Sequence, residues 1–564
     1  MASAGTSKSA QPGAARALPE GYYLDNLEAV VDTVLERYGD LLTAAEQDFV
    51  ADFRALPLAC RRLWVRLVSR RGPCLRRDAL SYPEIPHLDR ALTELEQRGF
   101  ADRAGDEPAA NLLPLLRAAE LAALEADLLG TSPPQRKAQR IARLLAETEA
   151  ATLRAALERR LRAVRPLRRD ALLTFRLLFF GNLHQDWSAF VTRDLGVVRY
   201  EPYPLERRLR RFPSRRAVDD ALALARCTRE VQQRLAAGGL EQAVELASPL
   251  LAREDGWHPA VRRRLDRLAN LLGAALERAG RRDEALTVYR LAWSPPARER
   301  CVRLLARQGA IGRALRLCRE IENEPRDESE RLFAPRFANR LRRKCGDRVP
   351  PLPRRRRPSL ELTLSHRDGT AVEALALEHF EHRGRRGVFA ENWLWKSLFG
   401  LAFWDVIFAP VPGAFEHPFQ LGPGDLFEPT FRQARQRRIE RRLEWLRRTP
   451  ELSSTLLARF DAKRGVANHL VSWHPGARRA LALVLERLRG EHLAPVADRL
   501  ARDLRRYRRG LPDLFVVAGE DPGFVLYEVK APGDQLRPEQ KGWLDYLNDR
   551  GLPARILNVR WRSP

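Results

Sequence analysis

Three residues near the C-terminus have the types and the spacing that metal-dependent hydrolysis of a phosphodiester requires. Asp513 closes the segment Gly-Leu-Pro-Asp, and Glu528 and Lys530 follow in the segment Tyr-Glu-Val-Lys. Two carboxylates that converge on one point repel each other unless a cation lies between them, and ligation by oxygen alone suits Mg²⁺ or Mn²⁺ rather than zinc. Such an ion polarises a phosphodiester and lowers the pKa of a bound water. Lys530 could orient that water or stabilise the developing charge.

The lysine of this set is informative because the chain contains so few. Lysine and arginine together number 99, and only seven of them are lysines. A lysine here is therefore less expected from the background composition than an arginine. Pro-Asp and Glu-x-Lys are nevertheless common combinations, so the alternative is an ordinary hairpin with a surface salt bridge.

A strand–turn–strand pattern positions these residues. Residues 514–517 and 524–530 are short apolar runs, separated by the turn sequence Ala-Gly-Glu-Asp-Pro-Gly. A hairpin of these strands places Asp513 beside the end of the second strand. Glu528 and Lys530 project from the same face because they are two residues apart, and Val529 between them points into the core.

Two carboxylates leave such an ion short of ligands, so a third acidic group is expected. Glu391, which precedes the aromatic segment Trp393-Leu-Trp, is the best candidate, and Glu373 and Asp405 are further alternatives. From its position alone, Glu391 could equally be an acid that a helix N-terminus favours through the helix dipole.

The composition bounds the class of partner. A chain of 564 residues contains several domains, and its net charge of +26 with a pI of about 10.7 favours a polyanion, above all nucleic acid. A general drift toward arginine is the alternative explanation. The six cysteines form no C-x-x-C pair, so neither a zinc site nor a disulfide framework is expected.

No membrane association is expected either. The N-terminal residues lack the apolar stretch of a signal peptide, and the most apolar run, residues 175–183, is too short to span a bilayer. We expect a reduced, cytoplasmic protein that associates with the nucleoid when it is bound to DNA.

The first two thirds of the chain have helical periodicity. Residues 24–38, 49–69 and 88–98 are expected to be helical, followed by a helix–turn–helix over 112–147. Arg136, Lys137 and Arg140 on its second helix could bind a phosphate backbone, although an ordinary hairpin with a solvated face explains the pattern as well.

A degenerate repeat follows between residues 216 and 323. Gly238, Gly280 and Gly309 each precede an alanine by five residues, namely Ala243, Ala285 and Ala314. A small residue that closes a helical hairpin and an alanine that permits close packing predict a solenoid of the tetratricopeptide type. Residues 371–382, 389–408, 429–448, 476–508 and 536–548 are expected to be helices and 554–559 a final strand.

The C-terminal segments resemble the VRR-NUC nuclease domain, a member of the PD-(D/E)xK superfamily. The similar segments are Gly510-Leu-Pro-Asp-Leu514, Tyr527-Glu-Val-Lys-Ala-Pro532, Asp534-Gln-Leu536, Gln540 and Trp543-Leu544. Upstream, Ala390-Glu-Asn, Leu398-Phe-Gly-Leu, Phe403-Trp-Asp-Val-Ile-Phe408 and Phe419-Gln420 are similar to a bacterial member of the Fanconi-associated nuclease family. The resemblance extends over nearly the whole chain and includes an SAP-like helix pair and the tetratricopeptide-like region.

The resemblance implies a fold class and a domain organisation. It implies a multidomain protein that is mainly α-helical in its N-terminal two thirds, with an α/β nuclease domain at the C-terminus. The expected parts are an N-terminal helical domain 1–105, an SAP-like DNA-binding region 106–165, a connector 166–215, a tetratricopeptide-like domain 216–348, a Pro/Arg-rich linker 349–367 and a VRR-NUC domain with helical lead-in 368–564.

The resemblance also implies an activity. Members of this family cut 5′ flaps and branched DNA, trim DNA from 5′ ends, and act in the repair of interstrand crosslinks. The matching positions make Glu391, Asp513, Glu528 and the carbonyl of Val529 the ligands of Mg²⁺ or Mn²⁺, and Lys530 the catalytic lysine. The family usually has Glu-Gly where this chain has Glu391-Asn, which leaves the local backbone geometry open.

A basic pocket for a 5′-terminal phosphate is the last implied site, with Arg505 and Arg267 as the matching residues. The implied partners are branched or flapped double-stranded DNA and DNA-repair proteins, and we expect a monomer. Two alternatives remain at this point. A Holliday-junction resolvase is disfavoured because the long helical N-terminal region would crowd a symmetric dimer, and a non-enzymatic repair scaffold is disfavoured by the complete acidic set.

Overall fold

The chain folds as two units, residues 1–197 and residues 198–564. A computed structural model describes residues 19–70, 72–104, 106–183, 185, 198–253, 256–349, 355–391, 393–519 and 523–562. In these ranges no helix has both the length and the apolar composition needed to cross a membrane.

Helices form most of the N-terminal unit. They are α1 Tyr22–Tyr38, α2 Ala44–Arg54, α3 Leu58–Ser69, α4 Leu88–Gln97, α5 Ala109–Leu112, α6 Ala118–Leu129, α7 Lys137–Glu147, α8 Ala150–Arg160 and α9 Arg169–Phe180. Three short strands, β1 Leu75–Arg76, β2 Ala101–Asp102 and β3 Ala163–Pro166, pair antiparallel in the order β1–β3–β2. The pattern over 49–69 predicts one continuous stretch, but Pro57, in an extended conformation at the N-cap of α3, separates α2 from α3.

The predicted SAP-like helix pair corresponds to α6 and α7, and two of its three candidate phosphate-binding residues have internal partners, whereas Arg136 is exposed. Lys137 Nζ donates to the carbonyls of Pro114 and Leu116, at 2.8 and 2.7 Å. Arg140 is buried, and its Nε donates to Glu125 Oε2 at 2.7 Å. Of the two interpretations of this segment, the contacts favour a hairpin whose basic residues stabilise the fold.

Paired helices open the C-terminal unit. They are α10 Arg215–Ala236, α11 Leu240–Leu251, α12 Arg262–Arg278, α13 Arg282–Leu291, α14 Ala297–Arg307, α15 Ile311–Asn323 and α16 Glu328–Lys344. Gly238, Gly280 and Gly309 all have φ near +80° and close a helix, and in each case the next residue donates a hydrogen bond to the carbonyl five positions before it. The three repeat alanines are fully buried, so the predicted repeat is confirmed.

The rest of this unit is a sheet between two helical layers. Its strands are β4 Ser359–Leu364, β5 Gly387–Phe389, β6 Leu514–Val517, β7 Phe524–Lys530 and β8 Ala554–Trp561. Its helices are α17 Val372–His382, α18 Leu394–Ala402, α19 Trp404–Ile407, α20 Thr430–Arg448, α21 Leu452–Ala462, α22 Ala477–Leu485, α23 Gly490–Arg502, α24 Leu504–Tyr507 and α25 Pro538–Asp549.

The described strands have the order β4–β8–β7–β6–β5, with β8 parallel to β4 and β7, and β6 antiparallel to β7 and β5. Alternation along β7 gives the sheet two apolar faces. Val525, Tyr527 and Val529 pack in a core with α17, and Phe524 and Leu526 join a larger core formed with α18 to α25. Glu528 belongs to the second face by register, so its carboxylate lies inside the protein.

The strand pattern confirms the predicted hairpin, since β6 and β7 cover the predicted residues 514–517 and 524–530. Two elements differ from expectation. Residues 359–364, expected in the linker, form β4 because β8 offers them a parallel partner, and the predicted helix over 389–408 begins as β5 because β6 pairs with it. Local sequence does not encode either partner.

A close contact fixes where the chain enters β6. Gly510 has φ +79°, and a Cβ there would lie 2.8 Å from the backbone carbon of Glu539 and 2.9 Å from the nitrogen of Gln540. Trp543 Nε1 donates to the carbonyls of Tyr507 and Arg509, both at 3.1 Å. These contacts attach α25 to the segment that ends in the catalytic candidate aspartate.

We predict that Gly510→Ala lowers the melting temperature more than Gly551→Ala does. Gly551 also has a positive φ, of +74°, but no atom lies within 4 Å of the position that a Cβ would take, so alanine costs about 1–2 kcal/mol of backbone strain alone. At Gly510 the backbone of α25 must also shift, which raises the cost to about 3 kcal/mol or more. Equal shifts of melting temperature for the two variants would contradict the close approach.

Candidate active site

The hairpin brings Asp513, Glu528 and Lys530 together, as the sequence predicts. Asp513 is 6% exposed and Glu528 is 1% exposed. Asp513 Oδ2 accepts a hydrogen bond of 2.7 Å from the backbone N–H of Val529, and Lys530 Nζ lies 2.7 Å from Glu528 Oε1. The antiparallel pairing of Leu514 with Tyr527 places these groups at one end of the hairpin.

Glu391 lies next to this pair through the backbone of β5. The N–H groups of Ala390 and Glu391 donate to the carbonyl of Asp513, at 2.7 and 3.3 Å. Glu391 is exposed, and its charge contributes to raising the pKa of both buried carboxyls. The third predicted acid therefore lies at the rim of the acidic pair.

Gln540 holds the carboxylate of Glu528 in one orientation. Its Nε2 donates to Glu528 Oε1, the oxygen that also accepts from Lys530. Its own Oε1 accepts from the N–H of Arg537 at 2.8 Å, which caps the start of α25 and fixes which way the amide faces. Two donors on Oε1 turn Oε2 of Glu528 toward the remaining space.

Burial is the main reason why both carboxyl groups are hard to ionise. It raises the pKa of Asp513 well above its ordinary range, and the charges of Glu528 and Glu391 add to the rise. It also raises the pKa of Glu528, although the hydrogen bond and the charge of Lys530 oppose the increase. Charge repulsion in a low-dielectric site is the physical condition that a bound cation relieves.

The donor set fits a hard divalent cation. Oε2 of Glu528 is buried and accepts no hydrogen bond from any residue that the structure describes. Buried carboxylate oxygens are rarely left in that state, and oxygen donors are those that Mg²⁺ and Mn²⁺ prefer. Within the described ranges no three His, Cys, Asp or Glu side chains form a group that could hold an ion as they stand, so the pair needs further ligands, for which Glu391 at the rim, water, DNA or a backbone oxygen are the candidates.

The two alternative acids have different surroundings. Glu373, in the first turn of α17, is close enough for its charge to raise the pKa of Glu528. Asp405 is exposed and forms ion pairs with Arg442 and, at 3.8 Å, with Arg459. The structure therefore keeps Glu373 near the acidic pair and makes Asp405 a partner of arginines instead.

Of the two predicted phosphate-binding arginines, Arg505 contacts Glu428, and Arg267 lies near Arg263. Arg505 is exposed, pairs with Glu428 and donates to the carbonyl of Phe427 at 3.1 Å. Burial lowers the pKa of Arg263 on α12, where the charge of Glu428 opposes the effect and the charge of Arg267 adds to it. Arg505 thus pairs with Glu428 directly, whereas Arg267 is linked to that residue only through Arg263, which responds to the charges of both.

Two further cations extend this group toward the acidic pair. The guanidinium of Arg508 lies 4.6 Å from the ring centre of Phe427. Burial lowers the pKa of Lys396 on α18, the nearby charge of Arg508 lowers it further, and that of Glu391 opposes both. We refer to Arg263, Arg267, Lys396, Arg505 and Arg508 as the cationic cluster.

Sequence reasoning missed Lys396, Arg508 and the orienting role of Gln540. The signal for Lys396 was present, because it is another of the seven lysines and follows Glu391 by five residues. Arg508 is one arginine among many, and no pattern separates it from the others. The contact of Gln540 depends on how α25 docks on the hairpin.

We predict that Asp513→Asn stabilises the metal-free protein at high pH. The folded-state pKa values of the pair are raised, so stability falls as pH rises from about 4 through the raised values. Asparagine keeps an acceptor for the Val529 N–H but removes one charge, which is worth on the order of 1 kcal/mol. In EDTA at pH 8, the melting temperature of the variant should be higher than that of the wild type. The two melting temperatures should converge as the pH is lowered toward 5.

The second part of that measurement is the melting temperature in the presence of Mn²⁺. The ion should raise the melting temperature of the wild type and leave that of Asp513→Asn nearly unchanged. Equal stabilisation of both proteins by Mn²⁺, or the same pH dependence with EDTA, would contradict the assignment of the acidic pair.

We predict that Gln540→Glu weakens Mn²⁺ binding about tenfold or more, as loss of a residue that orients a ligand typically does. Glutamate preserves the helix cap on Arg537 but replaces the donor to Glu528 with a second carboxylate. The measurement is the Mn²⁺ concentration that gives half of the full thermal shift. An unchanged midpoint would show that Gln540 does not orient Glu528.

Two protein-family models match the chain. A model described as the HTH domain of FAN1 matches residues 21–102, and the VRR-NUC domain model matches residues 449–561. The second match contains the hairpin and α25, whereas Glu391 lies upstream of it. These matches confirm the predicted nuclease domain and identify the N-terminal helices as a helix–turn–helix domain.

Similar proteins extend the match to nearly the full chain. The Fanconi-associated nuclease 1 homolog of Pseudomonas aeruginosa is 35% identical over 561 residues, which cover 97% of each chain. The homolog of Arabidopsis thaliana is 28% identical over 95% of this chain and 67% of its own.

A solved structure agrees with the sequence matches. The crystal structure of paFAN1 bound to 5′-flap DNA with a 2-nucleotide flap and a gap superimposes with a TM-score of 0.85 and 34% identity, over 97% of this chain and 100% of that chain. The predicted resemblance and fold class are thereby confirmed. The chain belongs to the Fanconi-associated nuclease 1 family of nucleases, and its C-terminal part contains their VRR-NUC domain.

Proposed function

We propose that the chain cleaves branched DNA at 5′ flaps and trims it from 5′ ends, in the repair of interstrand crosslinks. The observation that carries the proposal is the pair of buried carboxylates, with one unbonded oxygen and an adjacent lysine, in a nuclease whose relative paFAN1 is bound to 5′-flap DNA. Repulsion within the pair costs stability, and a catalytic cation explains why the chain retains it.

Asp513, Glu528 and Glu391 would hold Mg²⁺ or Mn²⁺, with the carbonyl of Val529 as a further ligand. When bound, such an ion polarises the phosphodiester and activates a water molecule. Lys530 is fixed by Glu528 at 2.7 Å and can donate to the phosphate oxygens or to the attacking water. Val529 contributes through its backbone, while its side chain stays in the opposite core.

The cationic cluster supports a pocket for a 5′-terminal phosphate. Arg505 pairs with Glu428, Arg263 lies near Glu428 and Arg267, and Lys396 lies near Arg508 and Glu391. Guanidinium and ammonium groups bind phosphate through charge-assisted hydrogen bonds. A 5′ phosphate held there would be placed at a fixed distance from the acidic pair, which selects the end of a flap as the reference point for cutting.

The helical part of the C-terminal unit is attached to this pocket. Tyr507 donates to Glu328 at the start of α16, and Arg506 donates to Ser329 at 3.3 Å. Arg263 on α12 contacts Thr430 on α20. We propose that the tetratricopeptide-like helices present DNA to the nuclease domain through these contacts.

The test of the proposed activity is the cleavage of an end-labelled 5′ flap. Asp513→Ala should abolish Mn²⁺-dependent cutting while DNA binding in EDTA stays within about twofold, because the aspartate acts on the ion rather than on the duplex. A four-way junction supplies the second substrate, on which a resolvase would be faster. Undiminished cutting by Asp513→Ala would overturn the proposal.

The phosphate pocket predicts that the effects of removing the 5′ phosphate and of substituting a pocket residue are not additive. Removing the 5′ phosphate from the flap, or changing Lys396 or Arg505 to alanine, should each slow cutting by about tenfold or more. Removing the phosphate should then have little further effect on either variant, because residue and phosphate act as one interaction. Fully additive losses would show that these residues act elsewhere.

A further inference from the structure

A second cationic cleft lies on α20, apart from the acidic pair and the cationic cluster. It has a volume of about 400 Å³ and is lined by Asp405, Val406, Arg438, Arg441, Arg442 and Trp445. The arginines share one side of the helix because they are three or four residues apart. We call this surface the arginine cleft.

One arginine of the cleft is held in place, and Arg459 beside the cleft shares its acidic partner. Arg442 pairs with Asp405, and its guanidinium lies 4.8 Å from the ring centre of Trp445. Arg459 lies beside Asp405 at 3.8 Å and donates to the carbonyl of Leu401 at 2.8 Å, at the end of α18. Asp405 therefore serves two guanidinium groups at once.

The remaining arginines have no carboxylate to neutralise them. Arg438 and Arg441 are exposed and have no acidic partner in the ranges that the structure describes. The pKa of Arg459 is lowered by burial and then by the charge of Arg442, so the cations already repel one another across the cleft. A cleft with this excess of positive charge favours an anion with several charges.

The cleft also lies within reach of a DNA molecule bound at the acidic pair. Glu391 and Asp405 are fourteen residues apart, mostly in α18 and α19, so the separation is at most about 35 Å, or roughly ten base pairs. Planar guanidinium groups match phosphate geometry, and several on one helix face can follow a backbone.

We propose that the arginine cleft is a second DNA-contact site, which binds phosphates of the substrate backbone away from the cleaved bond. The inference rests on the proposed function in taking DNA as the polyanion. Arg438 and Arg441 provide the contacts, whereas Trp445 and Asp405 hold Arg442 in the same cleft.

The test is DNA binding in EDTA, measured by fluorescence anisotropy on the full-length protein. The variant is Arg438→Glu with Arg441→Glu. The matched control is Arg447→Glu with Arg448→Glu, which makes the same charge change on the same helix, where both arginines pair with Glu444 outside the cleft.

The cleft variant should weaken binding of 5′-flap DNA by about tenfold or more at 0.1 M salt and reduce the salt slope by about two, as loss of two phosphate contacts requires. The control should change affinity by about twofold or less. Duplex DNA and single-stranded DNA, measured separately, identify the arm that the cleft contacts. The affinity of the cleft variant should fall more for that DNA than for the other. The milder Arg438→Gln with Arg441→Gln should follow the same order.

Equal losses of affinity in the cleft and control variants for every DNA would overturn the proposal. They would show that the cleft acts only through the overall positive charge of the protein. The binding assay contains no metal ion and measures no cleavage. Failure of the wild type to cut a flap with Mn²⁺ would therefore overturn the proposed function without deciding the binding comparison, and the two results can be told apart.

Discussion

The cost of ionising two buried carboxylates side by side is the constraint on which the site depends. Asp513 and Glu528 lie at one end of a hairpin inside the protein, where ionisation is costly. The fold lessens this cost with the Val529 N–H, Lys530 and Gln540, yet one oxygen of Glu528 accepts no hydrogen bond from the described residues. Within the described residues, the site therefore lacks a positive charge beside that oxygen, and a divalent cation, on which nucleases of this family depend, would supply it.

The surrounding structure supplies the rigidity that such a site needs. The sheet is packed on both faces, so the hairpin cannot relax by moving its carboxylates into water. Gly510 lets α25 approach the entry to β6, and that helix brings Gln540 to Glu528. Contacts of Tyr507 and Arg263 join the helical hairpins to the same scaffold, so the cationic cluster and the acidic pair belong to one unit.

The sequence alone predicts the hairpin and its chemistry because both are local. Alternation of apolar residues, a turn and a spacing of two residues place Glu528 and Lys530 on one face. The pairing of β4 with β8 and of β5 with β6 is not local, since these partners are far apart in the chain, and the position of Glu391 depends on it. Within the cationic cluster, Arg263 and Arg508 are inaccessible from sequence, because arginine is too frequent for any one position to stand out, and Arg267 and Arg505 are identified only through the family resemblance.

The most direct test of the central claim is a titration of the protein with Mn²⁺, followed by the electron paramagnetic resonance signal of the free ion. If a cation binds between Asp513 and Glu528, the wild type binds at least one Mn²⁺ per chain and Glu528→Gln loses that binding. A cleft variant such as Arg438→Gln keeps it. Equal Mn²⁺ binding by the wild type and Glu528→Gln would contradict a cation site between Asp513 and Glu528.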